Sequence, residues 1–209
     1  KLQRFELNKD ITMDDKELKI ILDTLCRLPA ETEVVEFKEA KNTFNFGTLG
    51  KYFSALSNEA NLKGKKYAWL IFGVEDKHHR IVGSQFRSNR KDLDSLKGEI
   101  ADKITNRVTF IEIYELATTD GRVVMFQIPA SPKGLPVAFE GHYYGGDGEV
   151  LSPLNIEEIE RIRAQVITDD WSAEIISDAT VDDLDEQAIY IARVNYQNKF
   201  PEQIKDIES

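Results

Sequence analysis

The stretch Tyr67-Ala68-Trp69-Leu70-Ile71-Phe72-Gly73-Val74 constrains the fold more than any other part of this chain. It is strand-sized and apolar at consecutive positions rather than alternate ones. Successive side chains of a strand point to opposite faces, so such a strand must be covered on both sides. The covering helices are legible nearby. Leu18, Ile21, Leu22 and Leu25 recur at helical spacing within 14–28, where Asp14 or Asp15 caps the start and Pro29 ends the run. Leu49, Tyr52, Phe53 and Leu56 form the core face of a helix over 48–58. Residues 92–105 read as a third helix, and 155–166 as a fourth with Asn155 as N-cap. Glu33-Val34-Val35-Glu36-Phe37-Lys38 reads as a strand, with Val35 and Phe37 on one face and Glu36 and Lys38 on the other. Ile81-Val82-Gly83 reads as a short return strand. Strands over 108–116 and 122–128 join at Asp120-Gly121, and a last hairpin over 135–139 and 142–144 turns at Glu140-Gly141. The expected class is α+β: a mixed, mainly antiparallel sheet with packed helices.

Composition narrows the function. The 209 residues suffice for a real core, and no run of about 18 apolar residues is present, so no membrane helix is expected. Cys26 is the only cysteine, which excludes an internal disulfide framework and a cysteine-rich zinc site and fits a reducing cytoplasm. The chain starts at Lys1 without a signal-peptide pattern, as expected of a piece of a longer protein. The net charge of −10 argues against indiscriminate nucleic-acid binding. That charge is uneven. Residues 167–209 hold three basic and eleven acidic residues, net −8, which leaves 1–166 at −2. Three parts follow: a helical lead-in over 1–28, a main domain over 29–166, and an acidic, partly helical segment over 167–209 whose helix starts near Asp182. Basic clusters survive in the main domain at Lys63, Lys65 and Lys66 and at Arg87, Arg90 and Lys91. They read first as solvated loop ends and second as a patch for a phosphate backbone.

Chemistry concentrates around one lysine. Glu31 and Glu36 are separated by four residues, Lys38 shares a strand face with Glu36, and Asp76 lies just past the end of the central strand. Strand ends are where sheet folds build sites. If the strand bearing Glu36 pairs with 67–74, the three carboxylates converge. Clustered carboxylates repel unless a cation or protons neutralise them, and oxygen ligands suit magnesium or manganese. An ion held there could polarise water at a phosphate, with Lys38 stabilising the developing charge. An exposed Glu36–Lys38 pair and a turn aspartate would satisfy the same spacing. Other candidates are weaker. Gly47-Thr48-Leu49-Gly50-Lys51 is too tightly spaced for a phosphate loop. His78-His79 lacks further zinc ligands, so no zinc is expected. Ser54, Ser57 and His142 lack a nucleophile context. Gly145-Gly146-Asp147-Gly148-Glu149 reads as a flexible loop able to touch a phosphate, and Tyr143 or Tyr144 could stack on a base.

Taken in order, several stretches resemble the Schlafen AlbA-like domain. They are Glu31-x4-Glu36-Phe37-Lys38, Ser54-Ala55-Leu56-Ser57-Asn58-Glu59-Ala60-Asn61, Trp69-Leu70-Ile71-Phe72-Gly73-Val74-Glu75-Asp76, Ile81-Val82-Gly83, Ile128-Pro129-Ala130-Ser131, Pro136, the stretch 141–144 and the helix over 156–162. The resemblance covers about 29–166. It implies a DNA- or RNA-binding module of bacterial transcriptional regulators or RecG-helicase-related proteins. Animal relatives cleave RNA with two glutamates, an aspartate and a divalent metal, and these roles map onto Glu31, Glu36 and Asp76, with Lys38 beside them. Two departures stand out. The small-residue turn ahead of the central strand is replaced by a longer, more basic loop from Asn58 to Lys66. The tyrosine-x-arginine-x-glycine after the last hairpin reads Tyr144-Gly145-Gly146-Asp147-Gly148, without the arginine. Nucleic-acid binding is thus the first expectation and a metal-dependent endoribonuclease the second. A protein-interaction module, as a homo-oligomer for instance, is the third.

Overall fold

The apolar stretch does lie inside a sheet, with a helix layer on each face. The computed structural model describes residues 13–27, 32–147, 150–165, 180 and 185–200. The chain divides into two compact units, 1–167 and 168–209. In chain order the first unit holds α1 (Asp15–Cys26), β1 (Val35–Lys38), α2 (Phe46–Leu62), β2 (Tyr67–Phe72), α3 (Arg90–Ala101), β3 (Glu112–Thr118), β4 (Gly121–Pro129), β5 (Ala138–Phe139), β6 (His142–Asp147), β7 (Val150–Pro153) and α4 (Ile156–Arg163). The second holds α5 (Glu186–Lys199), capped by the Asp185 side chain on the Ala188 amide. Its expected start at Asp182 lies outside the described residues. No described helix is long and apolar enough to cross a membrane.

The main sheet has the order β1-β2-β4-β3. β1 runs parallel to β2, and the other pairs are antiparallel. Parallel neighbours need a crossover, which α2 supplies. The period of two then separates two cores. Leu70, Phe72, Val124 and Phe126 face α2 and α3 and pack with Phe53, Leu93 and Leu96. Trp69, Ile71, Val123 and Met125 face the other way, with Val35, Phe37 and the α1 residues Leu18 and Leu22. Phe72 is fully buried, its ring centroid 4.9 Å from Phe126 and 5.1 Å from Phe86. α1 begins where Asp14 and Glu17 form a reciprocal capping box. It ends at Cys26, and Pro29 lies outside the described residues.

Four sequence expectations need correction. The helix expected over 48–58 starts at Phe46, capped by Asn45, and continues to Leu62. The loop ahead of β2 is therefore only 63–66. Asn58 and Asn61 look like loop formers because their side chains usually compete for local backbone. Here they bond to other elements instead and leave the helix intact. Second, 145–147 is strand rather than loop: Gly145, Gly146 and Asp147 pair with Ser152, Leu151 and Val150 of β7. Third, Ile81-Val82-Gly83 contributes one isolated bridge, Val74 to Ile81, not a strand. The hairpin turn of β3 and β4 sits at Thr119-Asp120, because Thr118 pairs with Gly121.

A polar seam docks the sheet β5-β6-β7 onto α2. Asn58 donates to the carbonyls of Val137 and Tyr144, each at 2.9 Å, and accepts from the Val137 amide at 2.8 Å. Ser54 donates to the Val137 carbonyl and accepts from the Tyr144 amide. Gly50 makes the approach possible, since a Cβ there would lie 2.1 Å from the Phe139 ring. Glu59, only 3% exposed, accepts from the Gly146 amide at 3.0 Å. Burial raises the Glu59 pKa, the Gly146 bond offsets only part of that, and nearby Glu158 and Glu33 raise it further. The folded state thus holds this proton more tightly than the unfolded chain. The associated stability is full below the ordinary carboxylate pKa and is lost as pH rises through the raised value. Glu59→Gln keeps an acceptor for Gly146 but removes the titration. We expect it to flatten the decline in stability as pH rises above the ordinary carboxylate range, measured by urea unfolding across that rise; an unchanged slope would contradict the assignment.

Candidate functional site

β1 is an edge strand, and its register with β2 decides the site. Glu36 pairs with Leu70 and Lys38 with Phe72, so both project on the α2 side of the sheet. After β2 the chain turns at Gly73, whose φ of +92° suits only glycine and whose Cβ would lie 2.7 Å from the Arg122 carbonyl. The turn at 75–80 then closes through Glu75 N to the Arg80 carbonyl and returns Asp76 over the end of β1. The result is an ion triad. Lys38 Nζ lies 2.6 Å from Glu36 Oε1 and 2.6 Å from Asp76 Oδ2. Glu36 and Lys38 are mostly buried, while Asp76 is about half exposed and forms the outer lip. Tyr52 of α2 stands beside them, its ring centroid 5.5 Å from Lys38 Nζ.

Burial opposes the charge on Lys38, but the hydrogen bonds to Asp76 and Glu36 outweigh it and raise its pKa. Below that raised value the ammonium keeps its proton, so at neutral pH Lys38 is a fixed cation and not a general base. Burial likewise raises the Tyr52 phenol, helped by Glu36, so Tyr52 stays protonated. An open cleft of about 390 Å³ adjoins the triad, lined by Lys38, Glu39, Ala40, Phe44, Glu75, Asp76 and Lys77.

Sequence reasoning named Glu36, Lys38 and Asp76, and the structure brings these three together. Glu31 lies outside the described residues. It did not single out the cleft residues Phe44 and Ala40, and placed Tyr52 only on a core face. A hydroxyl on that otherwise apolar face was the available signal. Among the described residues no three His, Cys, Asp or Glu side chains are grouped to hold a metal.

The basic candidates separate. Lys63, Lys65 and Lys66 lie at the start of β2, whereas the triad lies at its end, where Lys38 pairs with Phe72, so roughly 20 Å of strand lies between them. Lys63 is paired with Glu33 at 2.5 Å, while Lys65 and Lys66 are exposed and form no ion pair among the described residues. Arg87 makes two 2.7 Å bonds to Glu99 and one to the Asp92 carbonyl. The Glu99 pKa is lowered accordingly, by Arg87 first. Arg90 reaches Asp94, Glu112 and Glu115 and donates to the Ile113 carbonyl, tying α3 to β3. These arginines brace the fold; Lys91 beside them is exposed. Tyr144 is half-buried in the seam, with Lys51 Nζ 5.7 Å from its ring centroid.

The fold has counterparts of known structure. The crystal structure of the DIP2311 protein from Corynebacterium diphtheriae matches 90% of this chain with a TM-score of 0.52 and 21% identity. This chain spans only about a third of that protein, 35% of its length. The solution structure of the N-terminal domain of an ATP-dependent DNA helicase RecG-related protein from Nitrosomonas europaea matches 66% of this chain and 90% of its own, with a TM-score of 0.44 and 19% identity. No curated protein matches the chain. The model of the family described as Schlafen, AlbA_2 matches residues 31–154, from the start of β1's lead-in through β7, and the chain belongs to that family.

Proposed function

We propose that this chain is a nucleic-acid-binding domain whose contact surface centres on the Glu36–Lys38–Asp76 cleft, within a longer cytoplasmic transcriptional regulator or RecG-helicase-related protein. The observation that carries the reading is the Lys38 ammonium lining an open cleft, 2.6 Å from the carboxylates of Glu36 and Asp76. A phosphate oxygen can replace a carboxylate there without any change of protonation. Exposed Lys65 and Lys66 offer a second point of backbone attachment at the far end of β2. The test is binding of labelled single-stranded RNA, single-stranded DNA and duplex DNA across a salt series. Affinity should fall steeply with salt, and Lys65→Glu with Lys66→Glu should reduce the slope of log affinity against log salt by about 2. No binding of any of the three at low salt would sink the reading and leave a protein-interaction or homo-oligomerisation module.

A metal-dependent endoribonuclease is the second reading, favoured by one observation: two carboxylate oxygens lie on the same nitrogen. Carboxylate oxygens are the hard donors that suit magnesium or manganese. Glu36 and Asp76 would hold the ion, with Glu31 as the further ligand. The ion would polarise a phosphoryl oxygen or activate a water. Lys38 would supply fixed positive charge toward the phosphate, and Tyr52 a phenolic proton for hydrogen bonding.

A further inference from the structure

We propose that the cleft beside Lys38 is a nucleobase subsite for a single-stranded polynucleotide, with Phe44 as its stacking surface and a preference for bases bearing an exocyclic amino group. The inference rests on the nucleic-acid-binding reading and specifies what that site takes. The cleft volume of about 390 Å³ is of ligand size rather than a packing defect. Phe44 is half-buried, with its ring centroid 4.6 Å from Phe72 and 6.4 Å from Tyr52. The ring is therefore backed by the core while still lining the cleft. Ala40, also on the wall, adds little bulk.

The segment that carries Phe44 is anchored. The Ala40 carbonyl accepts from Ser84 Oγ at 2.6 Å, and the Lys41 carbonyl accepts from the Gln85 amide at 2.7 Å. A surface held this way loses little entropy when a base lands on it.

Charge decides which base. Arg80 takes both oxygens of Glu75, whereas Lys41 and Lys38 pair with one oxygen each of Glu39 and Asp76 and leave the other oxygen at the rim. Carboxylates accept from amino groups, as of adenine or cytosine, and are repelled by the paired carbonyls of uracil. Lys77 is exposed and has no ion pair among the described residues, so it can meet the adjoining phosphate.

The experiment measures binding of the full chain to labelled oligo(A) and oligo(U) of about twelve nucleotides, at low salt with a chelator so that no cleavage intervenes. The expected result is oligo(A) bound on the order of tenfold more tightly than oligo(U). Phe44→Leu, which keeps a core-filling side chain but no ring, should weaken oligo(A) by about tenfold, Phe44→Tyr should not, and Glu39→Gln with Asp76→Asn should cancel the preference. Circular dichroism melting of each variant separates binding loss from unfolding. Equal binding of the two oligomers, or undiminished oligo(A) binding in Phe44→Leu, overturns the subsite and leaves the binding domain standing. Binding of neither oligomer overturns the subsite, and overturns the binding domain as well if single-stranded and duplex DNA are not bound either.

Discussion

On the endoribonuclease reading, Glu36→Gln and Asp76→Asn should each reduce manganese-dependent RNA cleavage by more than about 100-fold. Loss of an outer partner of a metal ligand already costs about 10- to 100-fold, and these two side chains would be the oxygen donors themselves. Each substitution keeps the size of the side chain and an acceptor oxygen for Lys38 Nζ, which now stands 2.6 Å from both carboxylates. The fold should change little, by about 1 kcal/mol or less at so exposed a group as Asp76. The measurement is a time course of labelled RNA with manganese, magnesium or chelator, together with a melting curve for each variant. Cleavage that survives both substitutions would place the activity outside this cleft. A wild-type chain that binds RNA but never cuts it would remove the enzymatic reading and keep the binding one.

Asn58→Ala should destabilise the first unit by about 3 kcal/mol. The loss leaves the buried Val137 amide and the Tyr144 carbonyl without their Asn58 partners, and each unsatisfied group costs roughly 1–3 kcal/mol. Ser54 still serves the Val137 carbonyl, which is why the figure is not larger. At about 2–4 °C per kcal/mol for a chain of this size, the melting temperature should drop by about 6–12 °C. The neighbouring Ser57 is an internal control. Its hydroxyl is buried but has no hydrogen-bond partner among the described residues, so Ser57→Ala should be neutral or slightly stabilising. A small loss in Asn58→Ala, below about 1 kcal/mol, would mean that the second sheet is held by its apolar contacts and not by the seam.

The same residues explain what could and could not be read in advance. The face alternation of β1 and the two-sided burial of β2 were legible because strand geometry converts spacing directly into direction. The capped helix starts at Asp14 and Asn155 were legible because capping is local. The extension of α2 to Leu62 was not. Asn58 and Asn61 resist helix by local propensity, and only carbonyls and amides some 70 to 100 residues away make them acceptable there. The glycines at 145 and 146 misled for the same reason. Gly145 is small because a Cβ would lie 2.7 Å from Leu154 Cδ1, not because the chain needs freedom there.

For the site, the order of residue types along the chain by itself determined that Glu36 and Lys38 share a strand face and that Asp76 follows the central strand. Only the tertiary structure decided that β1 lies parallel against β2 in a register that puts Lys38 opposite Phe72. It also decided that the turn past Gly73 brings Asp76 back to the same ammonium, and that Lys65 and Lys66 end up at the other end of the strand. The reason is range. Side-chain direction and capping are set within a few residues, whereas strand pairing and charge compensation are settled by contacts between segments that the chain separates by tens of residues.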